Sequence, residues 1–399
     1  MIPPPPAHGD ALAQRLRHVE GSPTLALAAK AKALAKAGQR VLDLTAGEPD
    51  FPTPAHVKQA GIAAIESNQT KYTPVAGVPE LRSAVAERLN RRHRTAYQPS
   101  QVLVSCGAKH ALFNTFQALA QPGDDVVIFA PYWVSYPPLV QLAGATPVIV
   151  PTREEDQFLP QPEALRAALT RATKMMVLNS PSNPTGALID EARLRAIAEV
   201  ARERNLVVVT DEIYDELVYP PAAHVSIVSL APDLLDRTIL IGGVSKTYSM
   251  TGWRIGYAVG PQPWIDAMTN VQSHSTSNPA SISQHAALAA LQGDQHAVAQ
   301  MRQEFQRRRD RLINGLNRLR PLRCTMPGGA FYAWCNVSGL GQSSEATAAQ
   351  WLEQALVATV PGEGFGAPGF IRLSFAASME ALEEALERLK QWLAKRTHE

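Results

Sequence analysis

The stretch KMMVLNSPSNPTGALIDEARLRAIAEVARERNLVVVTDE (174–212) decides how this chain folds. Its two outer runs, KMMVLN (174–179) and LVVVT (206–210), are short, β-branched and apolar on both faces, as strands covered by helices on both sides are. Between them DEARLRAIAEVARERN (190–205) carries apolar residues at helical spacing with charges on the opposite side. Strand, helix, strand in one segment is a parallel crossover, and such crossovers are right-handed.

The same rhythm extends outward. QVLVS (101–105), DVVIFA (125–130) and TILIGG (238–243) read as further strands, and AKHALFNTFQALA (108–120) as a helix. The middle of the chain is therefore expected to be α/β, with a mainly parallel sheet. Beyond residue 293 the character changes. A charged helix over 294–319 leads to the apolar strand AFYAWCNV (330–337), the apolar stretch FIRLSFA (370–376) and the amphipathic helix MEALEEALERLKQWLAKR (379–396). That pattern predicts a smaller α+β domain. Near the start, Ser22-Pro23-Thr24 opens an Ala/Leu/Lys-rich helix that Gly38 can close. A chain of 399 residues exceeds one ordinary core, so two domains are expected. The division predicted is an arm over 1–21, a small domain from 22–55 and 294–399, and a large domain over 56–293.

Composition narrows the function classes. Apolar residues at 45% and charged residues at 19% fit a globular enzyme and exclude a disordered chain. A net charge of +2 provides no basic stripe, so no nucleic-acid partner is expected. No apolar run reaches the roughly 20 residues needed to span a bilayer, so no membrane partner is expected either. The opening MIPPPPAHGD reads as an arm and not a signal peptide. The three cysteines (Cys106, Cys324, Cys335) show neither metal-ligand spacing nor a disulfide framework. A reducing cytoplasm and no bound metal are the expectations.

Ligands of open parallel sheets bind beyond the carboxyl ends of the strands, so the residues directly after each strand matter most. After 101–105 comes Cys106-Gly107-Ala108-Lys109, whose backbone N–H groups at a helix start suit a phosphate. After 125–130 stands Trp133, which is either core or a stacking partner for a flat ring. Asn183, in SPSNPTG, is either a turn residue or a binding amide. Asp211 either caps the next helix or pairs with a protonated ring nitrogen. Tyr214, three residues on, is expected on nearly the same helical face.

Ser245 and Lys246 follow 238–243 in GGVSKTYSMTGWRIGY, an acid-free setting with Arg254 eight residues on. A lysine here is either a solvated surface residue or, desolvated beside a cation, a neutral nucleophilic amine. Arg254 offers a guanidinium fork to phosphate oxygens. A P-loop is excluded, because Ser245 stands where the loop needs glycine before its lysine. Arg372 interrupts an apolar strand after the loop PGEGFGAPG (361–369), and is either a surface residue or a carboxylate clamp. Together these strand ends meet the needs of a phosphorylated, cationic, planar heterocycle bound covalently to an amine.

An ordered set of segments then carries a resemblance: LTAGEPDFPTP (44–54), KYTPVAGVPELR (71–82), GAKHALFN (107–114), APYWVSYP (130–137), NSPSNPTG (179–186), DEIYDELVY (211–219), SKTYSMTGWRIGY (245–257) and GFIRLSFA (369–376). From about residue 20 to the C-terminus the chain resembles the class I, fold-type I aminotransferases, within them the Thermus-like bacterial aspartate aminotransferases. The resemblance implies pyridoxal 5′-phosphate as cofactor, with Lys246 as the Schiff-base lysine and proton shuttle. Asp211 looks like the pyridinium partner and Tyr214 the donor to the ring's phenolic oxygen. Asn183 and Arg372 resemble the α-carboxylate clamp, with Gly47 lining the substrate and Trp133 stacking on the ring. Arg254 and Gly107-Ala108-Lys109 resemble the phosphate site. Tyr72 matches a tyrosine reaching the neighbouring subunit's phosphate, which implies a homodimer with shared active sites.

The side chain of Lys109 resembles a lysine that receives a distal carboxylate, with Ser22 and Thr24 adding hydrogen bonds on closure. Acidic amino acids and 2-oxo acids are therefore the expected substrates, exchanged by a ping-pong mechanism. Many relatives carry serine three residues before the Schiff-base lysine, where this chain has Gly243, so Ser245 is the remaining hydroxyl there. Prephenate as acceptor, a β-elimination lyase and a cofactor-dependent transcription regulator are the alternatives. The last would need a DNA-binding domain ahead of the core.

Overall fold

The computed structural model describes residues 36–396 throughout and, before them, Ala13, Leu16, Gly21, Ala29, Ala31, Ala33 and Leu34. Among the described residues the strands are β1 (Leu42–Asp43), β2 (Val102–Ser105), β3 (Asp125–Ala130), β4 (Thr146–Pro151), β5 (Thr173–Asn179), β6 (Val207–Asp211), β7 (Thr238–Gly243), β8 (Gly256–Val259), β9 (Arg323–Cys324), β10 (Tyr332–Asn336), β11 (Val357–Ala358), β12 (Val360–Pro361) and β13 (Phe370–Ser374). Seven of them form one sheet in the order β2-β8-β7-β6-β5-β3-β4. All neighbouring pairs are parallel except those of β8, which runs antiparallel to both β2 and β7.

The two-faced apolar strands have a direct cause. Val104, Val127, Met176, Val208 and Leu240 feed an apolar layer on one side of the sheet. Their chain neighbours Leu103, Val126, Val177, Val209 and Ile241 feed the layer on the other. Successive side chains of a strand point to opposite faces, so both layers need apolar residues at every position. Each fully buried Val, Leu or Ile contributes about 1.5–3 kcal/mol.

A second sheet, β12-β13-β10-β9, is antiparallel and packs with the helices His296–Asn317 and Met379–Arg396 around Phe305, Trp351, Phe375 and Leu389. β1 pairs in parallel with β11 beside it. Helical positions between Ala29 and Lys36 end at Gly38, whose φ of +86° is the left-handed stop after a helix. Ala31 there packs against Leu352 and Ala358. Ser22 and Thr24 lie outside the described residues. No described helix is long and apolar enough to cross a membrane.

Three details differ from the sequence reading. β4, β8, β9, β11 and β12 are additional strands. The charged helix runs over His296–Asn317, slightly shorter than 294–319. The residues directly after β6 form no helix: Asp211 ends the strand itself, and its Oδ1 accepts the Ile213 N–H at 3.2 Å. That local bond competes with helical pairing. Tight turns follow, Asp215 N–H to Glu212 O at 3.0 Å and Leu217 N–H to Tyr214 O at 2.8 Å. Tyr214 therefore reaches inward from a turn and not along a helical face.

Candidate active site

The carboxyl ends of β2, β3, β5, β6 and β7 open into a cleft of about 470 Å³, lined on the far side by Arg372 and Tyr332 of the antiparallel sheet. β8 runs the opposite way, so the residues before it, Arg254 among them, fall at this same edge. Ala108, Lys109, Trp133, Asn183, Asp211, Tyr214, Ser245 and Lys246 line this one cavity, as does Gly47, while Gly107 lies just behind the lining.

Lys246 Nζ donates to the Gly47 carbonyl at 2.6 Å. Burial lowers its pKa to about 8; Glu48 opposes the shift, and Arg254, Arg372 and Lys109 add to it. The setting is thus less acid-free than the local sequence implied, because Glu48 arrives from another segment, anchored by the Thr251 hydroxyl at 2.6 Å. Across the cleft Asp211 is buried, accepting from the Tyr136 hydroxyl at 2.7 Å. Burial raises its pKa to about 6, against the pull of Tyr136, the Ile213 N–H and Lys246. Asn179 holds the strand ends in register, donating to the Asp211 carbonyl at 3.0 Å and accepting the Asn183 N–H at 2.9 Å.

Arg372 is 2% exposed and lies fully inside the protein. Its Nη1 donates to Asn183 Oδ1 and its Nη2 to the Thr45 carbonyl, each at 2.9 Å. Its Nε has no hydrogen-bond partner among the described residues. A buried guanidinium with a free N–H is an unfinished anion site, because leaving such a donor unpaired costs about 1–3 kcal/mol. The guanidinium also lies over the Tyr332 ring at 4.4 Å and the Phe365 ring at 5.0 Å.

A second anion site stands at the other end. The helix Ala108–Leu119 begins after Gly107; the N–H groups of His110 and Ala111 donate to the Gly107 carbonyl at 3.0 and 3.3 Å, which leaves those of Ala108 and Lys109 to a ligand. Gly107 has φ +84°, and a Cβ there would come within 2.5 Å of Arg254 Nη2, so glycine brings the guanidinium against the backbone. Arg254 is held by the Thr251 carbonyl at 2.9 Å. Lys109 Nζ sits 5.0 Å over the Trp133 ring, and burial, then Arg254, lower its pKa. Trp133 is in turn set edge-on against Tyr136, ring centroids 5.3 Å apart.

Tyr214 is buried, its hydroxyl 2.9 Å from that of Tyr332. Gly243 sits close under Ile213 Cδ1 and Gly256 Cα, at 3.0 and 3.1 Å from an added Cβ. A serine there would crowd both. Tyr72 stands apart from the cleft, 90% exposed. Thr24 is outside the described residues. Sequence reasoning missed Thr45, Glu48, Tyr136, Asn179 and Tyr332. Asn179, a polar residue closing an apolar run, and Tyr136, in the same segment as Trp133, carried a local signal. Tyr332 carried none.

An amine of lowered basicity, a buried carboxyl and two anion sites at the carboxyl edge of a parallel sheet define an enzyme of fold type I. The chain belongs to the class I and II aminotransferase family, whose model matches residues 39–389. The aspartate aminotransferase of Geobacillus stearothermophilus is 47% identical over 391 residues, 96% of this chain and 99% of that one. A probable aspartate/prephenate aminotransferase of Thermus aquaticus is 47% identical over 385 residues, again 96% and 99%. A solved structure of the aspartate aminotransferase from Thermus thermophilus with maleate matches with a TM-score of 0.92 at 44% identity, covering 96% of this chain and 99% of that one.

Proposed function

We propose that this aminotransferase exchanges the amino group of aspartate or glutamate with 2-oxoglutarate or oxaloacetate, using pyridoxal 5′-phosphate held covalently on Lys246. The observation that carries this reading is the pair of cations left for substrate: Arg372, buried with a free Nε, and Lys109 at the other wall of the same cleft. Two separated cations suit a dicarboxylate.

The donor set also fits the cofactor. The free N–H groups of Ala108 and Lys109 and the Arg254 fork take the phosphate, in a cradle that a Cβ at Gly107 would fill. Ser245 borders that end. Asp211 would hold a proton on the ring nitrogen, Tyr214 would donate to the ring's phenolic oxygen, and Trp133 would stack on the ring. When bound, the cofactor supplies an electron-poor ring that takes up the electron pair released at the substrate's α carbon.

Arg372 and Asn183 hold the α-carboxylate over Gly47, and Lys109 receives the distal one, with Thr24 joining on closure. Lys246, with its pKa lowered by burial, would act as base toward the α proton and then as the acid that returns it on the same face. Release of the 2-oxo acid and entry of a second one complete two half-reactions. A small domain built from 22–55 and 294–399 closes on the large domain over 56–293 and excludes water. The exposed Tyr72 supports a homodimer in which Tyr72 of the partner subunit reaches the phosphate. Three free cysteines favour a cytoplasmic setting.

The Thermus aquaticus relative's name favours one second reading, prephenate as acceptor, which presents two carboxylates to the same cations. Purified holoprotein is assayed with aspartate and 2-oxoglutarate, then with aspartate and prephenate. Borohydride treatment followed by peptide mapping is expected to find the cofactor fixed on Lys246; a cofactor fixed elsewhere, or none, rejects the assignment. Lys109→Ala is expected to cut kcat/KM for aspartate and glutamate roughly 10- to 100-fold, as loss of one charge-assisted contact does, and to spare alanine and phenylalanine. An equal loss for all donors removes Lys109 from substrate choice.

A further inference from the structure

We infer that Tyr332 is a positioning residue that ties the Tyr214 hydroxyl to the Arg372 guanidinium, so that the cofactor's phenolic oxygen and the substrate's α-carboxylate are held by one rigid unit. This rests on the function proposed above. Tyr332 opens β10, and Trp334, two residues on, points to the same face. Trp334 stands directly opposite Arg372 on β13, which makes Tyr332 the diagonal neighbour of Arg372 on that face. The result is a guanidinium 4.4 Å over the phenol ring, both groups fully buried.

The other end of the same side chain does separate work. Its hydroxyl lies 2.9 Å from the Tyr214 hydroxyl, its only hydrogen-bond partner among the described residues. The rings meet edge-on, centroids 5.9 Å apart. Two hydroxyls in one hydrogen bond share a single bridging proton. When Tyr214 donates to the cofactor's phenolic oxygen, its own oxygen must accept, so Tyr332 is the donor. Tyr332 thereby fixes which way the Tyr214 proton points and strengthens it as a donor. The ring holds the clamp, and the hydroxyl orients the phenol.

The two jobs separate by substitution. Tyr332→Phe keeps the ring and removes the donor. Weaker donation by Tyr214 leaves the phenolic oxygen more electron-rich, and it then holds the neighbouring proton on the lysine-linked nitrogen more firmly. The pH at which the bound cofactor's visible absorption changes is therefore expected to rise by roughly half a unit, the size of one attenuated hydrogen bond. Affinity for maleate, a substrate-like dicarboxylate, stays within about twofold of the parent. Tyr332→Leu removes the ring as well, and maleate affinity is expected to fall roughly 5- to 20-fold, the range of a buried cation–π contact.

In the double variant Tyr214→Phe/Tyr332→Phe the absorption pH is expected to match that of Tyr214→Phe alone, because the second hydroxyl acts only through the first. An unmoved absorption pH in Tyr332→Phe, additive shifts in the double variant, or equal maleate losses in the Phe and Leu variants each overturn the inference. Parent protein that lacks a pH-dependent visible band, or whose cofactor is not on Lys246, rejects the proposed function instead and is recognised before any variant is made.

Discussion

Lys246 and Asp211 face each other in one cleft with shifts that run toward each other: burial lowers the amine to about 8 and raises the carboxyl to about 6. At neutral pH an ordinary lysine is almost wholly protonated, whereas an amine of pKa near 8 is roughly one-tenth neutral. Capture of pyridoxal phosphate by the apoprotein, followed through its visible absorption, is therefore expected to speed up about tenfold per pH unit below about 8 and to level off above it. A rate still climbing toward pH 10 contradicts a desolvated lysine. Asp211 keeps its ionised form accessible through two donors, the Tyr136 hydroxyl and the Ile213 N–H. Of these, only the residue itself was visible in the linear pattern. Asp after a strand reads equally as a cap or a ring partner, and only the fold shows that its carboxylate takes the Tyr136 hydroxyl and the Ile213 N–H.

At the scale of elements, the anion cradle depends on how closely one helix start approaches one strand. Gly256 opens β8, and a Cβ there would lie 2.2 Å from the Ala108 nitrogen. That is backbone against backbone, with no flexible side chain to yield. Gly256→Ala is expected to push the helix Ala108–Leu119 off the sheet, costing about 2 kcal/mol or more in urea unfolding, the scale of an overpacked core. The same change should weaken pyridoxal phosphate binding at least about tenfold, since the first-turn N–H groups move with the helix. Unchanged stability and unchanged cofactor affinity together would show that the helix start is not held there. β8 itself was absent from the sequence reading. The run IGYAVG offers only a short apolar stretch, and its direction, which brings Arg254 to the cleft edge, comes from pairing with both β2 and β7.

At the scale of the whole molecule, a buried titratable cluster lies behind β6. Glu212 accepts from Ser226 at 2.5 Å and Thr210 at 2.9 Å, with His224 Nε2 3.4 Å away and His93 Nε2 at 4.0 Å. Burial raises Glu212 to about 8 and lowers His93 to about 3 and His224 to about 4. The signs are opposite. A carboxyl raised above its unfolded value of 4.5 contributes stability that is whole below about 4.5 and is lost as pH climbs through about 8. The two histidines, lowered from 6.5, contribute stability above that value and lose it as pH falls toward 4 and 3. Glu212→Gln keeps an acceptor for Ser226 and Thr210 while removing the titration. Its Tm is expected to fall several degrees less than the parent's between about pH 5 and pH 8, while the decline on the acid side remains. Parallel Tm profiles across the alkaline range would count against a neutral buried Glu212.

Local pattern alone determined the alternation of two-faced apolar strands with amphipathic helices, and with it the parallel sheet and the edge where polar residues collect. It also determined the order of motifs that marks the family, because strand periodicity and strand-end chemistry are both written within a few neighbouring residues. Tertiary structure decided what depends on residues far apart in the chain: Glu48 beside Lys246, Tyr136 on Asp211, and Tyr332 between Tyr214 and Arg372. It also replaced the helix expected after Asp211 with a turn. Burial, and the pKa values and hydrogen-bond partners that follow from it, comes from the packing of whole sheets and helices against one another, and no window of sequence contains both sides of such a contact.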